Sequence, residues 1–524
     1  MNKRVLGVIA ALVISAAVII VMGSGVFRRP AATVEEIFHP VAVEEPEHTS
    51  PVFLPGTQPR DISQSIISYS TCAACHGGYA DYSPYDTWKG SLMRHAARDP
   101  LFLALNAISN RDLEGVVEVG DYCLRCHTPT GWLEGRSEPV DGSALTSEDL
   151  GEGVSCDFCH RLVDPLSADG RLLSKPDVEV HANSQYVVSP EYVRRGPYND
   201  TNAPHKTLYS EFHTKSELCG TCHDILNPVY DLTTPVETTY SEWKYSAFAR
   251  EGIECQDCHM LPVEGYACYS SNVKLRDDIY KHEFVGGNAW MPDVLALMYD
   301  FDEETLAALK RTKALAIDML QSAAALDLSA SDGKLRVKVT NLAGHKLPTG
   351  YPEGRRMWLN VVFYDSQGNV ILESGGYDIR TGELTYDEGI KVYEAKPGTK
   401  DVPGYSDGPS FHFALNNYVY KDNRIPPRGF TNAEYEAAMA YIRGAEYADG
   451  QNWDVTEYEI PVGATSVKVT LKYQSTSKEF VEFLRDENID NPWDYFNAGE
   501  KVYNAWEQTG KSPPVDMATE TINF

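Results

Sequence analysis

The pattern of apolar and polar residues divides the 524-residue chain near residue 300. Residues 302–326 have apolar side chains at helical spacing. Leu306, Leu309 and Leu320 recur on one face of this segment. Asp302 is a residue type that caps helix N-termini, and acidic residues follow it in the first turn. The pattern therefore predicts one long amphipathic helix.

Beyond this helix, apolar and polar residues alternate, which is typical of strands with one buried face. The alternating segments are 335–339, 357–363, 369–378, 456–462 and 467–473. They predict a β-sandwich-like domain that is interrupted by an irregular stretch with a short helix near 432–444. The tail that follows has helical character, and we expect it to pack against the body of the protein.

The N-terminal region has a different composition. Residues 5–27 contain no charged side chain, and a segment of this length can span a bilayer as a helix. The small residues 23–25 form a weak cleavage site, so the segment is predicted to be a membrane anchor or, alternatively, a cleaved export signal. The residues after it are rich in Pro, Glu and Thr, which indicates an extended tether.

Together these patterns predict an α+β protein with six consecutive segments. They are the anchor or signal at 1–30, the tether at 31–65, a mainly helical and irregular domain at 66–300, a connecting helix at 301–328, the β-sandwich-like domain at 329–475 and a helical tail at 476–524. The domain at 66–300 contains all 11 cysteines.

Five Cys-x-x-Cys-His motifs stand in this domain. They comprise Cys72, Cys75 and His76; Cys123, Cys126 and His127; Cys156, Cys159 and His160; Cys219, Cys222 and His223; and Cys255, Cys258 and His259. Two thiols at this spacing can form thioethers with the vinyl groups of haem, and the next residue can place its imidazole on the iron. Zinc sites and disulfides do not require a histidine after every second cysteine. The motifs therefore predict a pentahaem cytochrome domain with five covalently bound haems c.

Haem attachment has consequences for location and for the remaining cysteine. Because the attachment takes place outside the cytoplasm, we expect the chain beyond residue 30 on the periplasmic or extracellular face, with an N-in anchor. Cys268 stands outside the motifs and is expected to be an inert thiol or, alternatively, to form an intermolecular bridge. The net charge of −29 argues against nucleic acid as a partner, because phosphate binding needs a basic surface.

The ligand opposite each proximal histidine decides whether a haem only passes electrons or can also bind a substrate. Of the histidines outside the motifs, His39 and His48 fall in the tether. His181 and His412 are reserves, the latter in a strand-like stretch. The distal candidates are Met93, His205, His213, His282 and His345. This supply is sufficient to make every haem six-coordinate.

Two of these candidates stand in informative surroundings. His345 follows a predicted strand in a loop that contains Pro348 and Pro352, and a rigid loop of this kind can aim a side chain. Met93 and His95 share the stretch WKGSLMRHAARDPLF, which is predicted to form a short helix. Because they are two residues apart, at most one of them can reach a given iron.

The chain resembles bacterial multihaem c-type cytochromes that are distantly related to those of hydroxylamine oxidation. The resemblance covers residues 66–510 approximately and is carried by WKGSLMRHAARDPLF, GDYCLRCHTPTGWLEGR, GVSCDFCHRLVDP, FHTKSELCGTCHDILNP, ECQDCHM, HEFVGGNAW, GHKLPTGYPEGRRMWLNV and FHFALNNYVYKDNRIPPRGF. Related proteins often have a histidine or methionine two residues after the serine of the W-x-x-S stretch, and Met93 holds this place here. The resemblance implies closely stacked haems and electron carriage in anaerobic or metal-linked respiration.

The sequence leaves three functions open. The leading hypothesis is a membrane-anchored respiratory relay that links a quinol-side donor to a terminal reductase or an extracellular acceptor, without catalytic residues of its own. The second is a multihaem oxidoreductase that acts on a small nitrogen or sulfur compound at a five-coordinate haem. The ordinary form of all five motifs and the surplus of histidines count against it. The third is a filament subunit whose haems stack between copies.

Overall fold

The structure is a computed structural model that describes residues 53–174, 176–230 and 232–524. The predicted anchor at 5–27 and the first part of the tether lie outside the described residues. Among the helices of the described part, none combines the length and the apolar composition needed to cross a bilayer.

The region before residue 300 consists of short helices, short strands and loops. Its helices are α1 (Tyr69–His76), α2 (Pro84–Trp88), α3 (Pro100–Asp112), α4 (Val119–His127), α5 (Pro129–Leu133), α6 (Ser147–Glu152), α7 (Cys156–Cys159), α8 (Ala168–Leu173), α9 (Ser216–Gly220), α10 (Thr239–Lys244), α11 (Ala247–Arg250), α12 (Cys255–His259) and α13 (Met291–Met298). Single 3-10 turns lie at Ala96–Arg98, Glu211–Thr214 and Pro228–Tyr230. Buried apolar residues form several small clusters here, so the polypeptide does not fill this region with one continuous core.

The strands of this region form two-stranded pairs. They are β1 (Leu162–Val163) with β2 (Val187–Val188), β3 (Arg194–Gly196) with β4 (Thr207–Tyr209), β5 (Ile225–Leu226) with β6 (Pro235–Glu237), and β7 (Pro262–Gly265) with β8 (Arg276–Tyr280). The β3–β4 pair is parallel and the other three are antiparallel. Each pair therefore fixes a local segment and does not extend into a larger sheet.

Helix α14 (Glu303–Ser322) is the long helix expected from the sequence. The Asp302 side chain caps it by accepting a hydrogen bond of 2.7 Å from the Thr305 amide. The predicted end at residue 326 is wrong, because Ala324–Ser331 form strand β9. Asp332 and Gly333 both have positive φ and turn β9 into the antiparallel strand β10 (Lys334–Asn341), as two-residue hairpin turns require.

Two antiparallel sheets pack through one core in the second half of the chain. Their strands, besides β9 and β10, are β11 (Arg356–Tyr364), β12 (Val370–Ser374), β15 (Val392–Tyr393), β19 (Trp453–Glu459), β20 (Ser466–Gln474) and β21 (Val515–Asn523). One sheet has the order β19–β10–β9, and the other has the order β12–β11–β20–β21 with β15 also paired to β11. Val337, Leu359 and Val469 are fully buried between the sheets. This arrangement confirms the predicted α+β class with its β-sandwich-like part.

Smaller elements surround the two sheets. Strand β13 (Tyr377–Asp378) pairs with β14 (Glu383–Leu384), and β16 (Ala395–Thr399) lies between β17 (Gly408–Pro409) and β18 (Tyr418–Asp422). Helix α15 (Asn432–Ala437) is the short helix predicted near 432–444. His412 precedes a 3-10 turn at Phe413–Leu415, so the strand-like reading of this stretch is wrong.

The tail is helical at first and ends in a strand. Helices α16 (Lys478–Glu487) and α17 (Ala498–Gln508) pack on α3, where Leu484 and Val502 are fully buried. The remaining residues form β21, which pairs along β20. The helical prediction fails for this last segment because its pairing partner lies far away in sequence and few of its side chains are buried.

Residues 89–95 form turns, which corrects the short helix predicted around Met93. The cause is a close approach to α14. A Cβ atom on Gly90 would lie 2.5 Å from the Ala308 backbone, and Thr312 Oγ1 donates a hydrogen bond of 2.8 Å to the Gly90 carbonyl. The segment is therefore held by packing against a distant helix and not by its own helical hydrogen bonds.

Candidate functional site

Each of the five Cys-x-x-Cys-His motifs lies in a short helix or directly after one. The motif helices are α1, α4, α7, α9 and α12. In α12, Glu254 and Asp257 form a capping box in which each side chain accepts a hydrogen bond from the other residue's backbone amide. Such caps let a helix of few residues persist and present its cysteines and histidine together.

The five motif histidines share one hydrogen-bonding arrangement. In each, Nδ1 donates to an oxygen, and these acceptors are the Ala267 carbonyl for His76 (2.8 Å), the Ala96 carbonyl for His127 (3.1 Å), the Arg195 carbonyl for His160 (2.7 Å), the Glu237 carboxylate for His223 (3.1 Å) and the Val285 carbonyl for His259. Within the described residues, Nε2 of these rings has no hydrogen-bond partner. A histidine ligand in a metal site has this arrangement, with Nδ1–H fixed by the protein and Nε2 available.

The protonation of these rings suits metal binding at four of the five motifs. Burial lowers the pKa of His127 and of His259 to about 4, and it also lowers the pKa values of His76 and His160. The rings are therefore neutral at pH 7, which is the form that binds a metal. At His223, burial lowers the pKa, but the hydrogen bond and the charge of Glu237 outweigh burial and raise it.

The motifs adjoin one another in a branched series. Thiols of different motifs contact each other in three places, namely Cys72 with Cys156, Cys126 with Cys222, and Cys219 with Cys255. Cys159 also lies near enough to Cys219 and Cys222 for their charges to interact. The His76 motif therefore adjoins the His160 motif, which adjoins the His223 motif. The His223 motif is the branch point, since it also adjoins the His127 and His259 motifs.

Three motif histidines face a second imidazole. The ring centroids are 6.5 Å apart for His76 and His205, 6.2 Å for His160 and His282, and 6.3 Å for His259 and His345. Two imidazole nitrogens bound about 2 Å from one metal ion on opposite sides put the ring centroids about 6 Å apart. The spacing of all three pairs therefore fits an iron atom between the two rings.

In the second member of each pair, Nε2 also has no hydrogen-bond partner among the described residues. Nδ1 of His205, His282 and His345 donates to the carbonyls of Lys206 (3.3 Å), Tyr280 (2.9 Å) and Lys346 (2.9 Å), respectively. The donor set of the site thus consists of thiols in pairs and imidazoles in opposed pairs. This set fits haem c, which is held by two thioether bonds and two axial ligands.

The comparisons with known proteins agree with this geometry. Residues 71–161 match the family model described as cytochrome c554 and c-prime. The crystal structure of a penta-heme cytochrome c552 from Thermochromatium tepidum is similar in fold, with a TM-score of 0.52 and 17% sequence identity, over 89% of this chain and 100% of that chain. No curated protein matches the chain significantly.

The chain therefore shares the motifs and the fold of multihaem c-type cytochromes. Its cofactor is haem c, and electron transfer with redox partner proteins is the general activity of this class. Cytochromes c are typically exported from the cytoplasm.

Among the predicted distal ligands, His213 has the hydrogen bonds that suit iron binding least well. Its ring stacks on His160 with a centroid distance of 5.6 Å. However, Nδ1 contacts Ser210 Oγ at 2.9 Å and Nε2 contacts the Cys159 carbonyl at 3.0 Å. Both ring nitrogens are therefore engaged, whereas His282 approaches the same histidine with Nε2 free.

His127 and His223 have no opposed imidazole among the residues that the structure describes. Phe102 lies flat on His127 instead, with a centroid distance of 3.7 Å. The half-buried Met93 and the fully buried His95 directly precede Ala96, whose carbonyl accepts the hydrogen bond of His127. Both ring nitrogens of His95 lack a hydrogen-bond partner in the described part of the cytochrome. The reserves His181 and His412 are bonded to Asp164 and Asp112, at 2.9 and 2.6 Å.

Sequence reasoning missed two features of the cytochrome. One is Glu237, the carboxylate on His223. The other is a segment around Cys268 that packs on the His76 motif: the Ala267 carbonyl binds His76, and the Tyr269 amide donates a hydrogen bond of 2.7 Å to the Cys75 carbonyl. Both contacts join residues that no local spacing connects, so the sequence alone carries no signal for them.

Proposed function

We propose that this cytochrome is an electron relay that operates outside the cytoplasm, with one haem c attached at each of the five motifs. The observation that carries the proposal is the shared arrangement of the five motif histidines, each with Nδ1 bonded to an oxygen and Nε2 free. In this proposal the cysteine pairs form the thioethers and the five histidines are the proximal ligands. The haem iron supplies the chemistry by cycling between its ferric and ferrous states.

The adjacency of the motifs supports a continuous electron path. Electrons would pass from the His76 haem to the His160 haem and then to the His223 haem, where the path branches toward the His127 and His259 haems. We assign His205, His282 and His345 as the distal ligands opposite His76, His160 and His259. A haem with two histidine ligands transfers electrons and has no open position for a substrate.

Met93 remains our proposed sixth ligand for a haem without an opposed imidazole. It lies in the turn that precedes Ala96, and the Ala96 carbonyl accepts the hydrogen bond of His127. A methionine ligand raises the potential of a haem above that of a neighbour with two histidines. The relay would then contain haems of different potential.

For location and partners, we propose that residues 5–27 anchor the cytochrome with its N-terminus inside and that the tether spaces the haems from the membrane. The partners would be a quinol-side donor and a terminal reductase or an extracellular acceptor. Membrane fractionation followed by N-terminal sequencing tests this part. Recovery in the periplasmic fraction with a new N-terminus after residue 22 would show a cleaved signal and exclude the anchor.

The experiment for the relay itself counts and titrates the haems. Protein produced with the haem c maturation system should show five covalently bound haems by mass spectrometry and by pyridine haemochrome absorbance. A spectroelectrochemical titration should then resolve five one-electron steps. Fewer than five haems in the intact protein would contradict the proposal, and the peptide masses would identify the motif that is not modified.

A second candidate function is an oxidoreductase for a small nitrogen or sulfur compound. The observation that favours it is the lack of an opposed imidazole at His127 and His223 within the described residues. EPR and visible spectra of the oxidised protein test it, because an open haem is high-spin. An entirely low-spin spectrum that does not change with nitrite, hydroxylamine or sulfite would exclude this function.

A further inference from the structure

The hydrogen bond at His223 differs in kind from those at the other four motif histidines. His76, His127, His160 and His259 each donate Nδ1–H to a neutral backbone carbonyl. His223 donates to Oε1 of the Glu237 carboxylate at 3.1 Å. A carboxylate is a stronger acceptor than a carbonyl because it carries a charge. The five histidines therefore differ in the oxygen that accepts the Nδ1 hydrogen bond, which is a carboxylate oxygen at His223 and a carbonyl oxygen at the other four.

Local structure holds this carboxylate beside the imidazole. Strand β5 begins two residues after His223, and the hairpin register places Ile225 opposite Glu237. The His223 carbonyl accepts a hydrogen bond of 3.0 Å from the Tyr240 amide. Thr239 Oγ1 donates to Glu237 Oε1 at 3.3 Å. Hydrogen bonds thus fix the backbone on both sides of the His223–Glu237 pair, so the fold of the hairpin determines this contact.

The surroundings of Glu237 keep it ionised. Hydrogen bonds to the charged form of a carboxyl group favour that form, and Glu237 accepts them from His223 Nδ1 and Thr239 Oγ1. The carboxylate therefore carries a full negative charge next to the imidazole at neutral pH. Such a charge favours partial transfer of the Nδ1 proton away from the ring and makes Nε2 a stronger electron donor.

We propose that Glu237 is a positioning and tuning residue that gives His223 imidazolate character and so sets the His223 haem at the lowest reduction potential of the five. The reason is that an electron-rich axial ligand stabilises ferric iron more than ferrous iron, and hydrogen bonding to the ligand is one of the ways a protein tunes haem. This inference rests on the proposed function, in which His223 binds a haem iron.

The position of the His223 motif indicates what a low reduction potential at this haem would do. This motif adjoins the His127, His160 and His259 motifs. An electron that travels from the His160 haem to either branch would pass the lowest-potential haem. The junction would then hold an electron only briefly, and the distribution between the branches would depend on the potentials of the haems beyond it.

The test is Glu237→Gln, which keeps a side-chain acceptor of the same size and removes its charge. In a spectroelectrochemical titration, we expect the lowest of the five one-electron waves to move to higher potential while the other four stay in place. The EPR g values and the near-infrared magnetic circular dichroism of one haem should change too, because both respond to imidazolate character.

Glu394→Gln is a matched control. Glu394 has 9% of its side chain exposed against 18% for Glu237, and it pairs with Lys421 at 2.9 Å and Lys396 at 3.0 Å but with no imidazole of the described residues. We expect it to leave the spectroscopic parameters unchanged. If both variants shift the same wave equally, the effect is one of charge alone and the proposal is wrong.

A second variant acts in the opposite direction. Thr239→Val removes the other hydrogen bond to Glu237 Oε1 without changing any charge, so Glu237 should accept more strongly from His223 and the same wave should move to lower potential. This variant decides the question if Glu237→Gln does not retain five haems. Unchanged waves in a variant with all five haems overturn the inference. A wild-type protein without a haem at His223 overturns the proposed function instead, so the two failures are distinguishable.

Discussion

His259 and His345 face each other with their ring centroids 6.3 Å apart and their planes inclined by 26°. The first residue ends helix α12, and the second lies in the loop between β10 and β11. Each Nδ1 is bound to a backbone carbonyl, of Val285 and of Lys346. The pair therefore lies where the region of short helices meets the two-sheet region, and an iron bound by the two remaining nitrogens would join the two regions.

Replacement of His345 should open one haem. We expect His345→Ala to remove the distal ligand of the His259 haem, because no other described imidazole faces His259 in this way. One of the five haems should become high-spin, as measured by EPR of the oxidised protein. His181→Ala is the control, since His181 is bonded to Asp164 and faces no motif histidine at ligand spacing. A fully low-spin spectrum of His345→Ala would refute the assignment.

The two histidines beside His160 should differ in their effect. We expect His282→Ala to convert one haem to the high-spin form, because His282 presents a free Nε2 at a centroid distance of 6.2 Å. His213→Ala should leave the spin state unchanged, because both nitrogens of His213 are hydrogen-bonded. EPR of the two variants separates them. The opposite result would assign His213 as the ligand.

Met93→Ala should lower the potential of one haem or change its spin state. The reason is that a methionine ligand holds a haem at higher potential than a second histidine does. Redox titration and visible spectra measure both effects. Leu92→Ala provides the comparison at the neighbouring position, where the side chain packs on an apolar cluster. Identical titrations of Met93→Ala and the wild type would mean that Met93 is not a ligand.

A buried ion network beside His345 should contribute strongly to stability. Asp422 accepts a hydrogen bond of 2.7 Å from Lys346 Nζ and pairs with Arg424 at 2.6 Å, and Arg424 also reaches Glu242 at 3.3 Å. Breaking such a pair on one side leaves an uncompensated buried charge, so we expect Asp422→Asn to reduce the free energy of unfolding by about 3–5 kcal/mol in a denaturant titration. Asp327→Asn, at an exposed pair with Lys338, should cost less than about 1 kcal/mol.

The same carboxylate predicts a direction for pH dependence. Burial raises the pKa of Asp422, but the charges of Arg424 and Lys346 outweigh burial and lower it below 3.8. Its contribution is therefore complete above the unfolded value of 3.8 and is lost as the pH falls through the lower folded value. Comparing wild type with Asp422→Asn should show a stability difference that is constant from pH 5 to 8 and decreases only in stronger acid.

The sequence predicted the features that local spacing determines. The start of helix α14 and the alternating strands around Val337, Leu359 and Val469 lie where the pattern placed them, and only the last residues assigned to the helix belong to β9 instead. The histidines that face motif histidines were among the sequence candidates, since every histidine outside the motifs could be counted. Their pairing could not be predicted, because His345 reaches His259 only through the packing of distant elements.

Features that depend on long-range contact were missed for the same reason. Strand β21 has only Met517 fully buried, so its alternation is weak and its pairing with β20 decides its structure. The turn at Gly90 depends on the nearby backbone of Ala308. The two hydrogen bonds of His213 could be seen only once Ser210 and the Cys159 carbonyl were in place.

The position of His345 along the chain bears on how the protein matures. Cys255 and Cys258 precede it, and the sheet that supports its loop is completed only by β21, at the end of the chain. If haems are attached in the order of the chain, the His259 haem would bind to a polypeptide whose second sheet still lacks β21. That haem would keep one protein ligand until the final strand docks. The change of this haem from high-spin to low-spin would then accompany the docking of β21. A pulse experiment that follows the spin state would measure when this docking occurs.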